Sequence, residues 1–162
     1  AGVPGMVAGM YLHFKSLRKI KTGYGPDIRE MLAEAENERM HLMFFIDIAK
    51  PNWFERWMII TAQFIFWHFY MFLYIFFPQC AHRMVAYFEE QACISYTEYL
   101  KEIDEGRTEN IKAPKIAIDY YNLSKDATLR DVVIAVRKDE EGHRDVNHDM
   151  ADQIRRKRAG LR

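Results

Sequence analysis

Between Arg56 and Arg83 the chain carries no Asp, Glu, Lys or Arg, and the run "FIFWHFYMFLYIFF" is apolar on every side of a helix. A helix of that length and composition spans a bilayer, lies along one, or is wholly buried in a core. Each choice dictates whether the segments before and after it can meet. Those flanking segments therefore decide the fold.

Both flanks read as helix, with acids inside apolar stripes. Residues 28–49 place Ile28, Met31, Ala35, Glu38, Leu42 and Phe45 on one face, alternating three and four apart. Residues 79–103 do the same with Val85, Glu89, Ala92, Tyr96, Tyr99 and Ile103. Glu90 shares a weaker face with Ala86, Cys93 and Thr97, so periodicity favours Glu89 as the inward acid. A further helix starts near Asp126 or Thr128, where Thr128 and Asp131 have capping-box spacing, and runs to about Ile154. Its stripe is Leu129, Val132/Val133, Val136, Glu140, His143, Asn147, Met150 and Ile154. Residues 6–21 form another helix, basic at its end, and Asp27 is a plausible N-cap after "TGYGPD". "DEGRTENIKAPK" reads as a polar loop, and the tail "RRKRAGLR" as a frayed, solvated end. No repeat and no clear strand is visible. The expected class is all-α, with residues 1–162 forming one domain.

Two of the inward acids belong to Glu-x-x-His pairs, Glu38/His41 and Glu140/His143. Three residues is just under one helical turn, so each pair leaves one face together. Burying five such groups unpaired costs several kcal/mol. Two iron or manganese ions would neutralise them, because di-metal bundles use one Glu from each of two helices and Glu-x-x-His from each of two others. Helix salt bridges and satisfied core histidines are the competing reading. His13, His68, His82 and His148 lack acids at ligand spacing on a buried face, except Asp145 before His148, and are not expected to bind metal. Cys80 and Cys93 form no metal or disulfide pattern. Lys+Arg and Asp+Glu both number 23, so no charge excess points to nucleic acid.

A shared metal site excludes a bilayer-spanning 53–77 helix. Spanning would set Glu38 and Glu89 on opposite sides, about 30 Å apart. That helix is therefore expected to act as the long crossover of a ferritin-like bundle, lying in one leaflet with Trp53, Trp57 and Trp67 at the interface. A wholly buried core helix is the alternative.

"EAENERMHLM", "FEEQACISYTEYL" and "DEEGHRDVNHDMAD" resemble the three C-terminal iron motifs of the mitochondrial alternative oxidases, and "AGVPGMV" resembles the segment after that family's first iron motif. The resemblance covers nearly the whole chain. It implies a dimeric, monotopic enzyme on the matrix-facing leaflet of the mitochondrial inner membrane. Such an enzyme oxidises ubiquinol and reduces dioxygen to water without haem or proton pumping. By motif match, Glu38, His41, Glu89, Glu140 and His143 would bind two iron ions, with Tyr96 as a redox or hydrogen-bonding partner. Asn37 and Asp139 match positions that orient ligands, and Phe88, Ala92 and Ser95 match the quinol pocket.

The chain also departs from the family pattern. Gln91 replaces an acid, Ser95 a threonine, and Tyr121 a tryptophan. The family's first ligand, a Glu on the first bundle helix, is expected a few residues before Ala1. Residues 1–162 would then supply five of six ligands, hold iron weakly and turn over poorly. Two further readings are another ferritin-like di-iron oxidase with a soluble substrate, and a membrane-surface helical binding module.

Overall fold

The computed structural model describes residues 2–160. Six helices follow in order: α1 Val3–Lys19, α2 Gly25–Ala49, α3 Trp53–Phe76, α4 Pro78–Asp104, α5 Lys115–Tyr121 and α6 Leu129–Arg158. Among the described residues the only β-pairing is an isolated bridge between Lys112 and Thr128. The all-α expectation holds.

Local chemistry sets most boundaries. Asn52 caps α3: its Oδ1 accepts from the amides of Phe54 and Glu55 at 2.9 and 3.0 Å, and Glu55 reaches back to the Asn52 amide at 2.7 Å. Pro78 ends the α3 pattern and opens α4 at a position where a missing N–H costs nothing. At α6, Asp131 accepts from the Thr128 amide at 2.8 Å, the capping-box spacing read in the sequence.

Two boundary expectations need correction, at the start of α2 and at the basic tail. α2 starts at Gly25 with Tyr24 at its cap, because Pro26 suits the first turn; Asp27 lies inside that turn, near the positive end of the helix. The polar loop holds over residues 105–114, and after it comes the two-turn helix α5, for which no expectation was stated and whose Ala117 packs with Phe44, Val132 and Val136. The basic tail stays helical to Arg158, with Arg155, Arg156, Lys157 and Arg158 in the last turn, where cations suit the dipole.

The core has two main parts. At one end, Val3, Val7 and Ala8 of α1 pack with Met31, Tyr70, Tyr74, Ala81 and Val85. At the other, Met40 and Phe44 pack with Ala113, Ala117, Val132 and Val136. α3 touches this core through buried Tyr70 and Tyr74 and through half-buried Phe66, Trp67, Met71 and Leu73. Trp67 thus packs inward rather than at the interface, while Trp53, Trp57, Phe64, Phe69, Phe72 and Phe76 stay exposed. The wholly buried alternative for this helix is thereby excluded. By length and composition α3 is the one candidate membrane span among the described residues.

α1 approaches α2 so closely that a Cβ on Gly5 would collide with the Met31 carbonyl and sit 3.0 Å from the Ala35 amide nitrogen. Gly142 in α6, by contrast, faces open space. Gly5→Ala is expected to destabilise the protein by about 1–3 kcal/mol, since backbone atoms cannot yield as side chains do. Gly142→Ala is expected to stabilise it by about 0.5–1 kcal/mol, the helix-interior penalty of glycine. Chemical denaturation of both variants checks the contrast, and equal effects would contradict it.

Candidate metal centre

Glu38 of α2, Glu89 of α4, and Glu140 and His143 of α6 bring one ligand atom each within 4.8 Å of one another. The helices on either side of α3 thus contribute to a single site. A straight span of 24 residues would separate its ends by roughly 36 Å.

Three carboxylates cannot all be ionised at this separation without a compensating charge. Burial, then hydrogen bonding to Glu140 and the charges of Glu140 and Glu38, push Glu89 up to about 10. Burial opposes ionisation of Glu38 as well, but the imidazoles of His143 and His41 outweigh it and hold Glu38 far below the usual range. His143 is pushed up to about 10: burial works against its charge, and Glu140 and Glu38 overcome it.

Two buried atoms at the centre of the cluster, Glu140 Oε2 and His143 Nδ1, have no hydrogen-bond partner. His143 Nδ1 lies 3.4 Å from Glu38 Oε1 and 3.6 Å from Glu140 Oε2, close in space but without the geometry of a bond. An unsatisfied buried carboxylate oxygen and an unsatisfied ring nitrogen in one cluster are what a metal ion would satisfy. Carboxylate oxygens with imidazole suit iron or manganese, and the absence of thiolate disfavours softer ions. The residues present fit such a group.

His41 stands beside these four rather than among them. Its Nδ1 lies 3.2 Å from Glu38 Oε1 and 3.3 Å from Glu140 Oε1. Its Nε2 lies 2.9 Å from the Tyr121 hydroxyl and 3.2 Å from Asp139 Oδ2. Tyr121 donates to Asp139 Oδ2 at 2.6 Å, so the hydroxyl accepts from His41 Nε2–H. Asn37 Nδ2 donates to the same Asp139 oxygen at 2.8 Å and to Tyr120 at 3.0 Å. Despite partial burial, these donors draw Asp139 down to about 2. The outer ring nitrogen of His41 is therefore committed as a donor, and Nδ1 is the atom left facing the cluster.

Beside the cluster lies a cavity of about 270 Å³. Glu34, Glu38, Glu89, Glu140 and Tyr96 form its polar wall, and Phe66, Val85, Phe88 and Ala92 its apolar one. Tyr96 stacks on Phe45 with ring centroids 5.9 Å apart, and burial with the three nearby carboxylates holds its hydroxyl well above the usual range. Phe88 and Ala92 line the cavity, whereas Ser95 is exposed and outside the lining. Glu90 pairs with His148 at 2.9 Å, away from the cluster.

Two functional residues escaped the sequence reading. Tyr121 entered it only as a departure from a family pattern, although its hydroxyl joins His41 to Asp139. Glu34, 7% exposed, is an acid of the cavity wall. It stands three residues after Met31 and four before Glu38, so the stripe of α2 contained its signal. The stripe itself is rotated from the expected one: Met31, Glu34, Ala35, Met40, His41 and Phe44 are buried rather than Ile28, Leu42 and Phe45.

Comparison with known proteins gives this site its family. Residues 1–152 match the sequence model described as alternative oxidase. Over 152 residues, 94% of the chain, identity is 57% to ubiquinol oxidase 1c, mitochondrial, of Arabidopsis thaliana and 57% to ubiquinol oxidase 2, mitochondrial, of Nicotiana tabacum. Identity to alternative oxidase 3, mitochondrial, of Glycine max is 55% over the same length. The chain spans about half of these relatives: 46%, 51% and 46% of their respective lengths. All four clustered side chains fall within the matched region, and the chain belongs to the alternative oxidase family.

Proposed function

We propose that this chain is the iron-binding part of a mitochondrial oxidase that oxidises ubiquinol and reduces dioxygen to water. The observation that carries the proposal is the four-group cluster Glu38, Glu89, Glu140 and His143, set beside a cavity that also holds Tyr96. Two iron ions bound there would supply redox chemistry that no side chain can perform. Glu38, Glu89 and Glu140 would hold them through oxygen, His143 through its ring nitrogen, and His41 would add Nδ1. Asp139 and Asn37 fix the His41 ring by holding its far nitrogen.

The rest of the chain prepares the substrate. Phe88 and Ala92 receive the quinone ring on the apolar wall, and the Tyr96 hydroxyl, kept protonated, donates a hydrogen bond across the same cavity. The exposed aromatic face of α3 rests in one leaflet of the inner membrane, on its matrix side, so that a lipid-soluble quinol reaches the cavity without crossing water. A second copy of the chain covers apolar surface that the leaflet does not.

Glu89, His143 and His41 carry protons at neutral pH when no metal is bound, and metal ligation requires each to lose one. Ferrous uptake is therefore expected to release protons and to tighten as pH rises toward about 10. Anaerobic calorimetry in buffers of different ionisation enthalpy measures this, and pH-independent uptake without proton release would contradict it. Asp139→Ala is expected to weaken iron binding roughly 10–100-fold, the usual effect of losing a group that orients a ligand. Unchanged affinity would remove Asp139 from the site. Oxygen consumption with ubiquinol in vesicles, insensitive to cyanide, tests the activity in this chain and in the chain extended upstream. Iron-loaded protein that consumes no oxygen in either form would overturn the reading.

A further inference from the structure

A line of buried side chains runs from Glu34 away from the metal centre. Asn147 Nδ2 donates to Glu34 Oε2 at 2.9 Å and to the His143 carbonyl at 2.9 Å. A carbonyl can only accept, so the Asn147 amide orientation is fixed and its Oδ1 must be an acceptor. That oxygen lies 2.9 Å from His82 Nδ1, which therefore carries the proton. Burial keeps His82 neutral, leaving Nε2 to accept from the Tyr74 hydroxyl at 2.8 Å. Asn147, His82 and Tyr74 are 1%, 2% and 2% exposed. Every donor and acceptor in the line has one permitted direction.

The line ends on Glu34 and determines how it is used. Oε2 is held as the acceptor, so a proton on this carboxyl is directed to Oε1, and the residue lines the cavity. An amide does not pass protons along a hydrogen-bonded chain, so Asn147 closes the route toward Tyr74. Any proton on Glu34 enters and leaves through the cavity it shares with Glu38, Glu89 and Glu140.

We propose that Glu34 is the proton-transferring acid of this cavity, and that Tyr74, His82 and Asn147 are positioning residues that aim it. The groups facing it are Glu30 and Glu38 on its own helix, His143 of α6 and Tyr70 of α3, whose buried hydroxyl has no partner. Burial is the main cause that raises Glu34 to about 7 when no metal is bound. The transfer rests on the oxidase reading; the protonation does not. Each ubiquinol oxidised gives two electrons and two protons, and each dioxygen reduced to two waters takes four of each. Glu34 Oε1 binds one such proton; its O–H bond then breaks as the proton passes to the oxygen being reduced. The next quinol proton restores the acid, so Glu34 is unchanged over the cycle.

Infrared spectroscopy of the iron-loaded chain reads the protonation directly, because metal ligation deprotonates Glu89 and an acid carbonyl band that remains must come from another buried carboxyl. The acid carbonyl band is expected in the unmodified chain and absent in Glu34→Gln, at equal iron content. Persistence of the band in that variant would overturn the proposal. Turnover of Glu34→Gln is expected to fall about a hundredfold with KM for ubiquinol unchanged, and Glu34→Asp to restore part of it. Normal turnover in Glu34→Gln would also overturn the proposal. If Glu34→Gln does not fold, Asn147→Leu carries the test: the band should shift as its carbonyl loses a donor, and an unshifted band contradicts the positioning line. Iron-loaded protein in which the band behaves as expected but no form oxidises ubiquinol overturns the oxidase reading and the transfer step together.

Discussion

The structure depends on the mutual repulsion of Glu38, Glu89 and Glu140 at one point between three helices. Two like charges 4 Å apart repel by about 4 kcal/mol even with surface-like screening. The protein offsets this with protons when no metal is present: Glu89 stays neutral, and His41 and His143 are cations. Burial alone would lower His41, yet Asp139, Glu140 and Glu38 together push it up to about 11. A cluster held together by protons is one from which a metal cation can displace them.

The same convergence explains the placement of α3. Because α2 and α4 must both reach one site, the apolar helix between them is confined to a single side of the bundle. It fully buries Tyr70 and Tyr74, packs Phe66 and Trp67 half-buried against the core, and turns Trp53, Trp57, Phe64, Phe69, Phe72 and Phe76 outward. Those two tyrosines have separate tasks. Tyr74 begins the hydrogen-bonded line that holds Glu34, while Tyr70 fills the core beneath Phe66, a residue of the cavity wall. One helix thereby serves both the apolar exterior and the polar interior.

Much of this was legible in the sequence where periodicity and polarity disagreed. Glu38, Glu89, Glu140 and His143 each broke an apolar stripe at a position the structure turns inward. The Thr128 cap was readable because a Thr with an acid three residues on has few alternative uses. α5 was not, since seven residues between loops carry too little periodicity to register. Glu34 was obscured by its surroundings: "AEAENERM" is dense in charge, and nothing local separates a buried acid from Glu36, which pairs with Arg39 at the surface. The burial of Glu34 depends on Asn147, 113 residues away, and Tyr121 likewise meets His41 only through the fold.

The central claim is that four side chains from three helices form one metal site. Crystals of the chain grown with manganous or ferrous ion, with diffraction recorded on both sides of the metal absorption edge, test it most directly. The account predicts anomalous density between Glu38, Glu89, Glu140 and His143, with Glu140 Oε2 and His143 Nδ1 turned toward it. Metal bound elsewhere, with these four groups retaining their metal-free arrangement, would contradict it.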